Sequence, residues 1–152
     1  MKITANRKNL LQAVRTALKA VGNEEVLEEL GALLIEAEES PGIISVTGSC
    51  IHTQIQCRLR NEHILEGGSV VMSPMVADML KVLDGETVEI GCAYNRMEIR
   101  SGTAKYNIAA LGADKYPKMQ IPFPEDFITV KGIHSLIKRT AFATDPRNKD
   151  AS

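Results

Sequence analysis

The stretch 69-SVVMSPMVADMLKVLDG-85 decides how this chain is read, because it begins again something the chain has already done once. Ser69 to Met72 is a short β-branched apolar run, and Ser73 and Pro74 supply a helix N-cap followed by proline at the first helical position. Val76, Met79, Leu80 and Leu83 then recur at helical spacing until Asp84 and Gly85 turn the chain. The same order stands in 2-KITANRKNLLQAVRTALKAVG-22. Lys2 to Ala5 reads as a strand, Asn6 as a cap and Gly22 as a stop, around a helix from Arg7 to Val21 with Leu10, Leu11, Val14, Ala17, Leu18 and Val21 on one side. A third opening follows at Phe127 to Val130, again strand before helix. The first two copies continue into three strand-like segments and the third ends after its helix. Repeated supersecondary units bury their apolar faces beside their neighbours, so a chain ending inside a copy is expected to be part of something longer.

The strand segments differ in legibility. In Leu27 to Glu38 the Glu, Leu and Ala content favours helix locally, but the repeat requires a strand, and Leu30 to Ala37 is expected to pair in a sheet. Ser40 to Gly42 carries turn chemistry and Ile43 to Thr47 is β-branched. Ile51 to Leu59 alternates Ile51, Thr53, Ile55, Cys57 and Leu59 against His52, Gln54, Gln56 and Arg58, a half-buried strand. The second copy supplies Thr87 to Cys92, Arg96 to Arg100 and Ala104 to Ala109. Gly112 to Glu125, with Pro117, Pro122 and Pro124, reads as an extended connection. Two βαβββ halves predict an α+β fold with pseudo-twofold symmetry, in which two helices lie on one face of an antiparallel-rich sheet layer. The expected organisation is a domain over 1–111, a linker over 112–126 and the start of a second domain over 127–152.

A length of 152 residues, 44% hydrophobic and 24% charged, suits one well-cored domain plus a remnant. No apolar run approaches the roughly 20 residues that cross a bilayer, and Met1 to Asn9 lacks the apolar core of a signal peptide, so a cytoplasmic protein without membrane partners is expected. Cys50, Cys57 and Cys92 are odd in number and lie in or near strands, which predicts free thiols in a reducing compartment. With a net charge of -1, attraction to a polyanion has to come from segregated charge. The first helix offers it: Lys8, Gln12, Arg15 and Lys19 fall on one stripe that contains no acid. Catalysis is not indicated, since no nucleophile, base and orienting group are suggested by spacing, and Gly67-Gly68 precedes a strand rather than following one. Cys50, His52 and His63 match no four-ligand zinc spacing, and metal analysis would test a small metal-dependent enzyme built on them. No cofactor is expected.

The residues resemble one known family, the bacterial DNA polymerase III β subunit or sliding clamp. The likeness is carried by Met1-Lys2-Ile3-Thr4 with Arg7 and Leu10-Leu11, by Leu30-Gly31-Ala32-Leu33-Leu34, by Val46-Thr47-Gly48, by Met97-Glu98-Ile99-Arg100-Ser101-Gly102 and by Ala113-Asp114-Lys115-Tyr116-Pro117. Their order coincides with the repeat. The resemblance implies a non-catalytic processivity factor of three such domains per chain, closed head to tail into a dimeric ring that encircles double-stranded DNA without reading its sequence. This chain supplies the first domain and the start of the second. DNA polymerase and clamp loader are the implied partners of the full-length protein, at a pocket lying mainly between its second and third domains. By the resemblance Lys8, Arg15 and Lys19 face the hole, with Lys81, Lys138 and Arg139 as further candidates, and Arg147 and Lys149 lie in a DNA-facing loop. Tyr106 and Ile108 match positions at the dimer interface; as strand residues they read equally as outward or core positions.

A ring already linked topologically needs only weak, exchangeable phosphate contacts, and a sparse cationic stripe suits that. Two departures stand out. Glu24, Glu25, Glu28 and Glu29 occupy a connection where the family commonly carries an arginine and prolines, and Pro74, Met75 and Val76 open the second helix where it can place basic residues. The acidic cluster motivates an alternative, a clamp-like regulatory or subunit-interaction module that does not encircle DNA, which salt-dependent DNA affinity would separate. A single domain of the three is expected to run as a monomer or weak dimer in size-exclusion chromatography.

Overall fold

β1 (Lys2–Asn6) passes directly into α1 (Arg7–Ala17), and Asn6 makes the transition: its backbone is extended and its side-chain oxygen accepts from the Asn9 amide at 3.1 Å. One of the helix's orphan donors is thereby satisfied. The computed structural model describes residues 1–22, 31–50, 52–60, 62–119 and 128–143. The helix is shorter than its periodicity suggests, because after Ala17 the chain tightens into a 3-10 turn, Leu18–Ala20, with Val21 already extended. That end presses on the sheet: a Cβ on Gly48 would lie 2.0 Å from the Ala17 carbonyl oxygen, so only glycine fits.

The strands that follow are β2 (Leu33–Glu38), β3 (Ile43–Ser49), β4 (Gln54–Arg60), β5 (His63–Glu66) and β6 (Gly68–Met72). Then come α2 (Val76–Val82), β7 (Thr87–Ala93), β8 (Arg96–Ser101) and β9 (Ala104–Leu111). Leu33–Glu38 is a strand despite its helical composition, because it is hydrogen-bonded on both sides, to β3 and to β6. Residues 27–30 and Ile51 lie outside the described residues, and His52 and Thr53 precede β4 without joining it. β5 was not anticipated; its pairing with β1, Ile3↔Ile64 and Thr4↔His63, is what makes it a strand. The start of α2 also differs. Ser73, expected as the N-cap, opens a tight turn in which Val76, Ala77 and Asp78 donate three residues back, and its hydroxyl accepts from the Met75 amide at 3.3 Å. Regular α-helix begins only at Val76.

The sheet order is β4-β3-β2-β6-β9-β8-β7-β1-β5, antiparallel at every pair. The two halves exchange their opening strands: β1 pairs with β7 through Ile3↔Ile90 and Ala5↔Val88, and β6 pairs with β2 through Val70↔Ile35 and Met72↔Leu33. Ile35↔Val46 within the first half repeats as Ile90↔Ile99 within the second. Neither half has a complete sheet alone. The inward residues of these strands form one core with Leu10, Ala13, Val14 and Ala17 of α1 and Val76 and Leu80 of α2, so both helices lie on the same face, as the repeat predicts. Burying each of these Leu, Ile and Val side chains contributes about 1.5 to 3 kcal/mol.

The opposite face of β2 and β6 carries a second cluster, Ala32, Leu34, Val71 and Tyr116. Residues 113–119, expected to begin an extended linker, instead lie across this face as a strap. A 3-10 turn (Ala113–Lys115) leads to Tyr116, whose hydroxyl lies 3.2 Å from the Thr47 carbonyl and 3.4 Å from that of Ala32; Lys118 Nζ meets Glu36 Oε1 at 2.6 Å, and the Met119 amide donates to Gln54 Oε1 at 2.9 Å.

The chain divides into two compact units, Met1–Met119 and Gln120–Ser152. In the second, α3 (Ile133–Thr140) follows Gly132, which takes φ +75° at its N-cap. Residues 128–130, expected as the third opening strand, are not in a strand. The physical reason lies in the exchange: an opening strand is completed by the first strand after the other half's helix, and the described part of the second unit holds no strand to fill that role. Phe127 lies outside the described residues.

Candidate nucleic-acid interface

α1 buries Leu10, Ala13, Val14 and Ala17, and the helical period then leaves Lys8, Gln12 and Arg15 exposed on the other side, with Lys19 continuing the stripe from the 3-10 turn. Lys8, Leu11, Gln12, Arg15, Thr16 and Lys19 line one shallow groove there. The first turn of α1 holds no acid. Among the described residues the ion pairs join Glu98 to Arg100 and Lys105, Glu36 to Lys118 and the Met1 ammonium to Glu66, so no carboxylate neutralises the stripe. Lys8, Arg15 and Lys19 thus share one surface.

α2 is a weaker version of the same surface. Val76, Leu80 and Leu83 hold the core places that Leu10, Val14 and Ala17 hold for α1. By that correspondence Lys81 falls at the place of Arg15, Asp78 at that of Gln12, Pro74 at that of Lys8 and Gly85 at that of Lys19. Lys81 is exposed in the last turn, with one acid, Asp78, in the first. The rest of the exposed face is apolar: Met75 and Val82 are 59% and 63% exposed. Lys138 and Arg139 are exposed in the last turn of α3, within the second unit. Arg147 and Lys149 lie outside the described residues, as do Glu24, Glu25, Glu28 and Glu29.

Tyr106 and Ile108 are half-buried and pack against the main core from β9. The ladder between β9 and β6 is confined to Leu111↔Val71 and Ala110↔Met72, which leaves the β6-facing edge of 104–109 without a ladder partner among the described residues. On the outer face of the same half, Glu98 is held below the usual carboxylate range by hydrogen bonds from Lys105 and then Arg100.

Cysteine and histidine do not assemble. Cys50 and His52 lie between β3 and β4, whereas His63 is on β5, at the other end of the strand order. Among the described residues no three His, Cys, Asp or Glu side chains are placed to hold a metal ion. All three cysteines are free, and burial pushes the Cys92 thiol up to about 11. Among the described residues no helix is long and apolar enough to cross a membrane.

Residues 1–120 match the family described as DNA polymerase III beta subunit, N-terminal domain. The chain is 26% identical over 147 residues to a beta sliding clamp of Vibrio harveyi, covering 94% of this chain and 100% of that one. It is 30% identical over 159 residues to the beta sliding clamp of Bacillus subtilis (strain 168), covering 94% and 40% respectively. The crystal structure of the DNA polymerase sliding clamp from Bacillus subtilis aligns with a TM-score of 0.81 at 28% identity, over 99% of this chain and 42% of that one. The beta subunit from DNA polymerase of Streptococcus pyogenes aligns at 0.86 with 19% identity, over 99% and 41%, a likeness of fold alone. This chain thus spans about 40% of the length of the Bacillus subtilis clamp. The shared fold, the doubled half and the match over residues 1–120 place the chain in the DNA polymerase III beta subunit family, within its N-terminal domain.

Proposed function

We propose that this chain is the N-terminal portion of a sliding clamp, a non-catalytic processivity subunit that encircles duplex DNA and tethers the replicative polymerase in the cytoplasm. The observation that carries this reading is the stripe Lys8, Arg15 and Lys19: two exposed cations on one face of α1 and a third on the 3-10 turn that continues it, with no described carboxylate beside them. Such contacts attract phosphate without reading bases and are weak enough to exchange as a ring moves. Lys81 adds a fourth cation. Lys138, Arg139, Arg147 and Lys149 extend the DNA-facing set into a second domain that begins in residues 127–152. In the complete protein, Tyr106 and Ile108 contribute to a head-to-tail dimer interface, which the open edge of β9 favours by offering unpaired backbone groups, and polymerase and clamp loader bind elsewhere.

The test is duplex affinity against salt, measured by anisotropy on unrelated sequences. Four phosphate contacts predict a log-log slope of about −3.6, a loss of roughly a hundredfold between about 50 and about 200 mM salt, with no preference among sequences. Arg15→Ala is expected to lower the slope by about one. Absence of duplex binding at low salt, or an unchanged slope in Arg15→Ala, would favour the regulatory or subunit-interaction module instead.

A further inference from the structure

Arg7 is a cation on the first turn of the helix that carries the stripe, yet it points elsewhere. Its Nε donates to the Gly85 carbonyl at 2.7 Å and its Nη1 to the Leu80 carbonyl at 3.0 Å, while its own amide donates to the Glu86 carbonyl at 2.9 Å. The Leu80 carbonyl belongs to the peptide unit that joins Leu80 to Lys81. α2 has seven residues, too few to hold itself in water, and Leu83 leaves its end extended instead of turning through a left-handed cap. A guanidinium at this end places positive charge on the negative pole of the helix and takes up one of its orphan carbonyls, that of Leu80, while its other prong holds the chain just beyond at Gly85. Arg15, the matching cation of α1, also lies in a last turn, but there the Leu18 amide donates to the Val14 carbonyl, so the backbone itself holds the Val14–Arg15 peptide. The two cations therefore differ in support: Arg15 is fixed by its own helix, Lys81 by a residue from the other half.

We propose that Arg7 is a positioning residue: it grips the Leu80–Lys81 peptide and so aims Lys81, and it is not itself a phosphate contact. The proposal rests on the DNA reading above. The experiment is a double-mutant cycle in duplex affinity at low salt, with Arg7→Gln against Lys81→Ala and, separately, against Arg15→Ala. Lys81→Ala is expected to weaken binding about threefold in the native chain, the scale of one exposed ion pair, and by less than about 1.3-fold once Arg7 is replaced. Arg15→Ala is expected to weaken it about threefold in both backgrounds. Amide exchange at Leu80 to Val82 should quicken in Arg7→Gln while Leu10 to Val14 keep their protection, which a general loss of stability would not produce. Should Arg7→Gln fail to fold, Arg7→Lys serves in its place, since it keeps the charge and loses the two-pronged grip. An unchanged Lys81→Ala effect in both backgrounds, or a salt slope that falls by about one more when Arg7 is replaced in the Lys81→Ala background, overturns the proposal. If Arg15→Ala and Lys81→Ala are both silent, the DNA reading fails and the aiming of Lys81 falls with it; a silent Arg15 identifies that case.

Discussion

The two halves of the first unit share a core and differ in nearly everything laid over it. Ile35 against Val46 in one half repeats as Ile90 against Ile99 in the other, and Leu10 and Val14 repeat as Val76 and Leu80. Above that common floor, α1 runs eleven residues with an acid-free cationic stripe, whereas α2 runs seven with Lys81, Asp78 and exposed Met75 and Val82. A buried position answers to packing density, which both halves must satisfy against one shared core. An exposed position answers only to what it meets outside. Divergence of surface over shared packing is what two copies with different work would show; on the proposals above, one helix faces a polyanion and the other depends on Arg7 for support.

The largest expected effect probes how each half seats its helix. In the first half the strand gives way, since Gly48 on β3 leaves room for the Ala17 carbonyl. In the second half Ser101 occupies the matching place on β8, donates to the Thr87 carbonyl at 2.7 Å, and Gly85 gives way instead. A Cβ at Gly48 would sit 2.0 Å from a backbone oxygen, which cannot swing aside as a side chain can. Gly48→Val is therefore expected to destabilise the protein by about 3 kcal/mol or more, seen as a fall in the urea midpoint. Gly91→Ala, where an added Cβ meets nothing within 4 Å, is the control and should leave the midpoint nearly unchanged. Similar losses at both glycines would mean that backbone freedom, not the close helix approach, is what Gly48 supplies.

The outer faces differ as well. β2 and β6 are covered by the strap, with Tyr116 buried beneath it, while β7 and β8 carry solvent-facing charges around the bare Gly91. Burial pushes the Tyr116 hydroxyl up to about 12 from an ordinary value of 10.0. The proton is thus held more tightly in the folded state, so the contribution to stability is complete below pH 10, the unfolded value, and is lost as pH rises toward 12. The loss across that window is roughly 2 to 3 kcal/mol. Tyr116→Phe removes the titrating group and should flatten this part of the stability curve. If its pH profile retains the full slope, the strap is not held through the phenol.

How much of this was legible follows from which signals are local. The helix period of Leu10, Val14 and Ala17 and the punctuation at Asn6 and Ser73-Pro74 announced two strand-helix openings, and the same period assigned Lys8, Arg15 and Lys19 to the exposed side of α1. Pairing is not local. Nothing in Lys2 to Asn6 says that its partners are β7 and β5, and His63 to Glu66 is a strand only because β1 lies beside it, so the exchange between halves and the extra strand emerged only in three dimensions. Arg7 shows the same limit at one residue. It reads in the sequence only as the first residue of the helix, apart from the stripe, and its acceptors are carbonyls far along the chain, which no spacing rule connects. Tyr116 sat in a proline-bearing stretch that looked like a linker, because the surface that covers it, Ala32 and Leu34 with Val71, comes from two places in the sequence far from it.

The smallest expected effect concerns how the two helices start. Asn6 and Ser73 occupy matching places, each between an opening strand and its helix, and composition alone makes them equivalent caps. The structure separates them. Asn6 accepts from Asn9 three residues on, with its backbone extended, so its oxygen serves a donor that the α-helix itself leaves orphaned. Ser73 accepts from Met75 two residues on, at 3.3 Å, and the next three amides are satisfied by a tight turn of backbone bonds whose first acceptor is the Ser73 carbonyl. Deleting the Asn6 oxygen strands a donor, whereas deleting the Ser73 hydroxyl leaves the backbone turn intact. Asn6→Ala is accordingly expected to cost about 1 kcal/mol in denaturant unfolding and Ser73→Ala less than about 0.5 kcal/mol. Equal losses would show that the opening of α2 leans on its serine as α1 leans on its asparagine, and that the halves are more alike at their helix starts than their hydrogen bonds indicate.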